Sequence, residues 1–356
     1  MTWDNELVEE LLGELELHNL DGFLEESGVS MTFYELLEQI MEQGWGVESI
    51  TDLVYWARDL LFAEIAANKM LFLEVILITF CFSILKNSAG KFGNSYISDV
   101  CFFLVYSVLA LMLLKSGYTL QGIVAGTIER SVAFMRVFVP CFCTGMFFSS
   151  NVYASAGFYQ IAFVVIYIVE WAFERVLLPC IHIYMLLQIF NYFFEETQFG
   201  NLAELLETVV NWGLKVAGTA VLGLSVVQNL INPVKDRISQ GTAAKVMSVI
   251  PGVGGAANGI GEVLLGSGMI IKNGIGIAGI AVLLCIGAGP LLKTGIITLL
   301  YKVMAAVTEP LSDRRISECI RQLSNAALLY MRVQGYCLMM FFITIALAVS
   351  ATSFTF

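Results

Sequence analysis

Charged residues are scarce in this chain. Only 14% of its 356 residues are charged, whereas 58% are hydrophobic, and its mean hydropathy is +0.78. A soluble domain has about 25% charged residues. The composition therefore excludes an ordinary soluble protein and predicts that most of the chain is embedded in lipid.

Basic residues are almost missing from the beginning of the sequence. Residues 1–68, the acidic head, contain 16 of the 30 Asp and Glu but a single base, Arg58, which leaves 14 acids and 18 bases from position 69 onward. Such a head repels nucleic acid and anionic lipid surfaces, so nucleic acid is not an expected partner. We divide the chain into this acidic helical region and stalk, 1–68, and a polytopic membrane domain, 69–356.

Catalytic motifs are also lacking. The sequence has two histidines and no Ser-His-Asp set, H-E-x-x-H or P-loop, so an enzyme is not expected. The G-x-G-x-x-G at 274–279 has no strand before it and no acid about 20 residues later, which favours helix packing over dinucleotide binding. Cys141 and Cys143 are too closely spaced for zinc and lack partner ligands, so neither a metal nor a cofactor is expected.

What is present is helical periodicity and long apolar runs. In the acidic head, Thr32 and Glu35 have the spacing of a capping box and predict a helix start. No basic, apolar signal segment opens the sequence, so we expect either a removed signal or targeting by the first span.

The apolar runs of the membrane domain predict an all-α, polytopic transmembrane helix bundle of seven to nine membrane helices. The predicted spans are 70–85, 100–114, 132–148, 158–173, 176–194, 208–231, 273–308 as one bent element or two, and 330–350. An amphipathic connector with Glu129 and Arg130 precedes the third span. The tight connection at Glu174 and Arg175 predicts either a hairpin or one long bent element from 158 to 194.

A glycine-rich stretch at 251–268 interrupts this pattern. It predicts either a broken or re-entrant helix, whose free backbone groups protein or a wet cavity would satisfy, or a flexible surface loop. The same glycines would also let helices pack closely. The candidate broken-helix and packing residues are Pro251, Gly252, Gly254, Gly255, Gly259, Gly274 and Pro290.

Ionisable residues in the spans are the other candidates for function, because each is costly in hydrocarbon unless it pairs, snorkels or faces water. Glu170 and Glu174 share one helix face, which would suit a polar lumen or a basic partner such as Lys215. A structural ion pair near the membrane interface is the simpler alternative. The candidate lumen or ion-pair residues are Glu74, Arg136, Glu170, Glu174, Lys215 and Lys272.

Basic clusters indicate the orientation of the bundle. Lys86 and Lys91 follow the first span, and Arg314, Arg315 and Arg321 lie between the last two. Both clusters should be cytoplasmic, which places the acidic head outside and requires an even number of crossings between them.

Short blocks of sequence occur in a recognisable order along the chain. The blocks are AKV at 244–246, IPGVGG at 250–255, VLLGS at 263–267, IKNGIG at 271–276, LYKVMAA at 300–306 and EPL at 309–311, with 67–71 and 201–206 upstream. Together they resemble one known family, stage III sporulation protein AE. The likeness covers essentially the whole chain and rests on the order of these blocks rather than on a catalytic motif.

The resemblance implies a multi-pass protein of the outer forespore membrane, which derives from the mother cell. It implies a place in the complex encoded by the stage III sporulation A operon, with the other proteins of that operon and, through them, stage II sporulation protein Q as partners. That assembly is viewed as a channel or feeding apparatus, in which this chain would be a permease-like or scaffold subunit in contact with lipid and able to form a homo-oligomer.

A second hypothesis comes from a different class. A stand-alone secondary transporter would bind its substrate at a broken helix, here 251–268, and should carry a matching glycine-interrupted segment in its other half. Only one such segment is convincing, which favours the complex subunit.

Overall fold

The computed structural model describes residues 20–21, 32–33, 35, 47–91, 95–148, 152–193, 199–247, 254–310 and 313–351, and these residues contain no strand. The described chain is a bundle of long helices, which confirms the predicted all-α class. The elements are α1 Val47–Lys91, α2 Ser95–Phe148, α3 Val152–Ile168, a π-helical segment Val169–Leu177, α4 Leu178–Asn191, α5 Gly200–Met247, α6 Gly254–Thr308 and α7 Arg314–Ala351.

Before the bundle, the predicted capping box is confirmed. The backbone N–H of Thr32 donates to the Glu35 carboxylate at 3.0 Å, and the N–H of Glu35 donates to the Thr32 hydroxyl at 3.2 Å. Such reciprocal bonds satisfy two backbone donors that a helix start would otherwise leave free.

Five of the described helices are long and apolar enough to cross a membrane. The apolar stretches are Leu61–Ile84 in α1, Asp99–Met146 in α2, Gly200–Gly223 in α5, Lys272–Thr308 in α6 and Arg314–Val349 in α7. The chain is thus a polytopic membrane protein, but the expected seven to nine spans are not confirmed.

The expectation of separate spans at 100–114 and 132–148 is wrong, because both belong to the single helix α2. Glu129 and Arg130, which were expected in a connector, are exposed on the surface of that helix. For 158–173 and 176–194, the alternative of one long element is confirmed and the hairpin is wrong. They lie on one helical path from Val152 to Asn191, in which the π segment joins α3 to α4 with helical backbone angles on both sides.

The glycine-rich stretch also differs from expectation. From Gly254 onward it is helical, and α6 continues without interruption through Pro290, so the expected break is absent from residues 254–268. Gly255 and Gly259 lie in this helix, whereas Pro251 and Gly252 fall outside the described residues. In an apolar environment a broken backbone leaves N–H and C=O groups unpaired at several kcal/mol each, which outweighs the roughly 1 kcal/mol that glycine costs a helix.

Neighbouring helices run antiparallel along their full lengths. The Ser155 hydroxyl donates to the Cys143 carbonyl at one end of α2, and the Tyr106 hydroxyl donates to the Ile189 carbonyl at the other. The path α3–π–α4 therefore lies alongside α2 for about 40 residues.

The pair α6 and α7 is also antiparallel. Gly295 lies against Met331, while Gly276 lies against Val349 near the opposite end. Both helices pack on α2, where Thr127 accepts a hydrogen bond at 3.4 Å from the amide of Gln334 in α7.

One contact shows which ends of the bundle coincide. The Arg315 guanidinium at the start of α7 lies 3.8 Å from the centroid of the Phe102 ring, near the start of α2. The turn between α1 and α2 and the turn between α6 and α7 are therefore at the same end. Four helical passes separate them, which agrees with the even number that the two basic clusters require.

Small residues bring α6 close to its neighbours. A Cβ on Gly279 would overlap the ring of Phe138 in α2, and one on Gly276 would overlap Val349 in α7. The G-x-G-x-x-G segment at 274–279 is thus packed against two helices, with Gly274 buried at its start.

This packing predicts the effect of one methyl group. Gly279→Ala should lower the free energy of unfolding by about 1–3 kcal/mol, because the Phe138 ring must move to make room. Gly122→Ala is the matched control, since that helical glycine has nothing within 4 Å of an added Cβ. Thermal unfolding in detergent, followed by circular dichroism, measures both. Equal stability of Gly279→Ala and wild type would contradict the close approach of α2 and α6.

Candidate functional site

Two of the predicted ionisable candidates meet across α2 and the π segment. Arg136 Nη2 lies 2.6 Å from Glu170 Oε2, and the side chains are 56% and 38% exposed. The partner of Glu170 is therefore Arg136 rather than Lys215, which is exposed on α5. A charge-assisted bond of this length is among the stronger polar contacts in proteins.

Both helices are irregular at this pair. Pro140 has no N–H, so it cannot bond to the Arg136 carbonyl four residues earlier. Opposite it, Glu170 lies in the first turn of the π segment, where the Leu178 N–H bonds to the Phe173 carbonyl five residues back. Segments of π-helix are rare and occur frequently at functional sites.

A lateral cleft of about 270 Å³ adjoins the pair. One end is polar, and the remaining wall is mostly apolar and aromatic. Its lining residues are Arg136, Val139, Pro140, Tyr159, Phe163, Ile166, Tyr167 and Glu170. Tyr159, Phe163 and Tyr167 recur every fourth residue and form an outward aromatic stripe on α3. The cleft combines an arginine and aromatic rings, residue types that are enriched at protein interfaces.

The other ionisable candidates do not join this pair. Glu174 is exposed one turn further along the π segment, and Glu74 is exposed on α1. Lys272 is fully buried at the far end of α6, with its ammonium 3.5 Å from the Val349 carbonyl. Pro290 is half-buried inside α6.

The structure adds a second ion pair that the sequence analysis missed. Lys293 Nζ lies 3.1 Å from Glu64 Oε2, and the Glu64 side chain is only 8% exposed. Asn68 also donates to this carboxylate at 2.9 Å. The sequence analysis assigned Glu64 to the acidic head, so its ion pair between α1 and α6 was not predicted.

The sequence analysis also missed a set of buried hydrogen bonds that joins three helices, for a different reason. The Thr294 hydroxyl bonds to the Gln334 carbonyl oxygen at 3.0 Å, and the Gln334 amide continues to Thr127. Each of α2, α6 and α7 supplies one of these neutral residues. A few neutral polar residues carry no distinct signal in a hydropathy profile, although they join helices in membranes.

The fold and the site define an integral membrane protein of the multi-helix, polytopic class. Comparison with known families then shows which one: the model described as stage III sporulation protein AE matches residues 31–352, and the chain belongs to that family. The chain is also similar to stage III sporulation protein AE of Bacillus subtilis (strain 168), with 26% identity over 296 residues, or 83% of this chain and 74% of the relative. No solved structure matches it.

The ion pair predicts a double-mutant result. Either Arg136→Met or Glu170→Leu should cost about 2–3 kcal/mol of unfolding free energy, because each leaves one charge unpaired in an apolar environment. The double variant should recover most of this loss, since it leaves no charge behind. Thermal unfolding in lipid nanodiscs measures all three.

The chain offers a matched control in Arg58 and Asp59, which lie 2.9 Å apart with exposures of 56% and 68%, outside the apolar part of α1. A water-exposed pair contributes about 0–1 kcal/mol, so Arg58→Met should change little. If Arg136→Met lowers the unfolding free energy as little as Arg58→Met does, the Arg136–Glu170 pair faces water.

Proposed function

We propose that this chain is a membrane subunit, permease-like or scaffold, of the channel or feeding complex encoded by the stage III sporulation A operon, which links mother cell and forespore during endospore formation. The observation that carries the proposal is the family match over residues 31–352. The chain belongs in the outer forespore membrane, works with the other proteins of the operon and, through them, with stage II sporulation protein Q, and is not an enzyme.

The surface of the bundle is consistent with a subunit role. The cleft beside Arg136 and Glu170 opens sideways, at the flank of α2 and α3, rather than along an axis through the bundle. The helices α2, α6 and α7 instead fill the centre with large buried side chains such as Tyr301, Tyr330 and Phe341. A packed centre and an open flank favour association with neighbours.

The alternative of a stand-alone secondary transporter has lost its main support. That hypothesis placed the substrate at a broken helix, and residues 254–268 are continuous helix. No further observation favours it.

The functional proposal is tested by removing the gene and by purification. Deletion should block endospore formation after engulfment, and the wild-type chain supplied in trans should restore it. A tagged copy purified in mild detergent from sporulating cells should retain other stage III sporulation A proteins, identified by mass spectrometry. Normal sporulation after deletion, or recovery of the chain without these proteins, would contradict the proposal.

The orientation gives a separate prediction. Besides the five helices that are long and apolar enough to cross a membrane, the path α3–π–α4 makes a sixth helical pass, so the start of α1 and the end of α7 lie on one side. With the basic clusters cytoplasmic, alkaline phosphatase fused after Phe356 should be active, because it is exported. The same enzyme inserted at 311–312 should be inactive there, whereas green fluorescent protein at 311–312 should fluoresce. The reverse pattern of activity would show that the bundle has the opposite orientation in the membrane.

A further inference from the structure

Two outer faces of the bundle have different chemistry. The first, the α1 outer face, carries the exposed residues Met70, Leu73, Leu77, Phe80 and Ile84, which are 50–63% exposed. Glu74 is the single ionisable residue between positions 70 and 84. This face has the composition of a surface that contacts lipid.

The second, the α2–α3 outer face, contains many more charges. Its residues are Glu129, Arg136 and Pro140 on α2, and Tyr159, Phe163, Tyr167, Glu170, Trp171, Glu174 and Arg175 on α3 and the π segment, all of them exposed or half-buried. Arg136 lies within the apolar stretch Asp99–Met146 of α2. Lipid tails around that stretch would contact a charged pair.

Lipid is therefore a poor occupant for the α2–α3 outer face. A charged side chain in hydrocarbon costs about 2.5–3.5 kcal/mol on insertion scales, and such residues usually face protein or water. The face also combines Tyr, Trp and Arg, the residue types that contribute most to protein interfaces. Phe163 and Tyr167 are 61% and 62% exposed beside the cleft, which leaves their rings free to pack on another helix.

The charges identify the partner. The face carries three acids, Glu129, Glu170 and Glu174, and two bases, Arg136 and Arg175, so its charges nearly balance and both signs are interspersed. A partner of one strong sign gains nothing from such a surface. A contact between two copies related by a two-fold axis requires a patch that is complementary to itself, with acids and bases on the same surface.

We propose that the α2–α3 outer face is a self-association surface, through which two copies of this chain pack in the membrane around the Arg136–Glu170 pair. Copies inserted in the same orientation are related by an axis along the membrane normal. Equivalent residues of the two α3 helices then lie at equal depth, so a single cysteine on the stripe faces its own counterpart. This contact is independent of the sporulation complex.

The test is disulfide crosslinking in membranes of a host that makes no spores, which separates self-association from the proposed function. The exposed Cys81 and Cys285 are first replaced by alanine. Phe163→Cys should then shift, on oxidation, from 39.2 kDa to twice that mass on a non-reducing gel. Leu77→Cys is the matched control, because Leu77 is 63% exposed on the α1 outer face and should remain monomeric.

A charge series tests the pair at the contact, and thermal unfolding of the same variants separates loss of the contact from loss of the fold. Glu170→Arg in the Phe163→Cys chain should abolish the crosslink, because like charges then adjoin at the contact. The swap Arg136→Glu with Glu170→Arg should restore it. Two results would overturn the proposal: no dimer at Phe163→Cys, or equal amounts of dimer at Phe163→Cys and Leu77→Cys. If no dimer forms and a membrane-impermeant thiol reagent labels Phe163→Cys, the face lines a water-filled lumen instead.

Discussion

The structure follows from one constraint, the absence of water in the hydrocarbon core. Backbone N–H and C=O groups there find partners only within the chain, and the α-helix supplies all of them locally. This explains why α2 and α6 continue for 54 and 55 residues through features that would end a helix in water. At about 1.5 Å per residue each is roughly 80 Å long, which is well beyond the 30 Å of a hydrocarbon core. Parts of these helices therefore lie outside it.

The same constraint acts on small polar side chains. Hydroxyl groups along the helices donate to carbonyls three or four residues earlier, as Thr79 does to Ile76 and Thr344 to Met340. A group satisfied in this way can face lipid or a neighbouring helix without an additional partner. Gln334 cannot do this with its long side chain, and it instead bridges Thr294 and Thr127. Such a bridge fixes three helices at one depth, which glycine packing alone does not.

These two effects explain how far the sequence could be interpreted. The helical class, the acidic head and the capping box at Thr32 depend on local patterns, and local patterns are visible in a single sequence. The span count depends on whether a charge ends a helix. Glu129 and Arg130 were placed in a connector, yet α2 carries them on its surface because exposed charges do not break backbone hydrogen bonds. The partner of Glu170 depends on the antiparallel register of α2 and α3. Register is a long-range property, so the sequence alone suggested Lys215 where the structure has Arg136.

Irregular geometry at the Arg136–Glu170 pair connects this register to the outer surface. A π segment has more residues per turn than an α-helix, so the side chains after Val169 are rotated relative to an uninterrupted α3. The rotation keeps Val169, Phe173 and Leu177 buried while Glu170 is partly exposed beside Arg136. Val169, Phe173 and Leu177 recur at intervals of four residues, and such steps drift by about 40° each in an α-helix. The wider turn of the π segment reverses the direction of this drift, and the charge pair and the aromatic stripe of α3 lie on one face of the molecule.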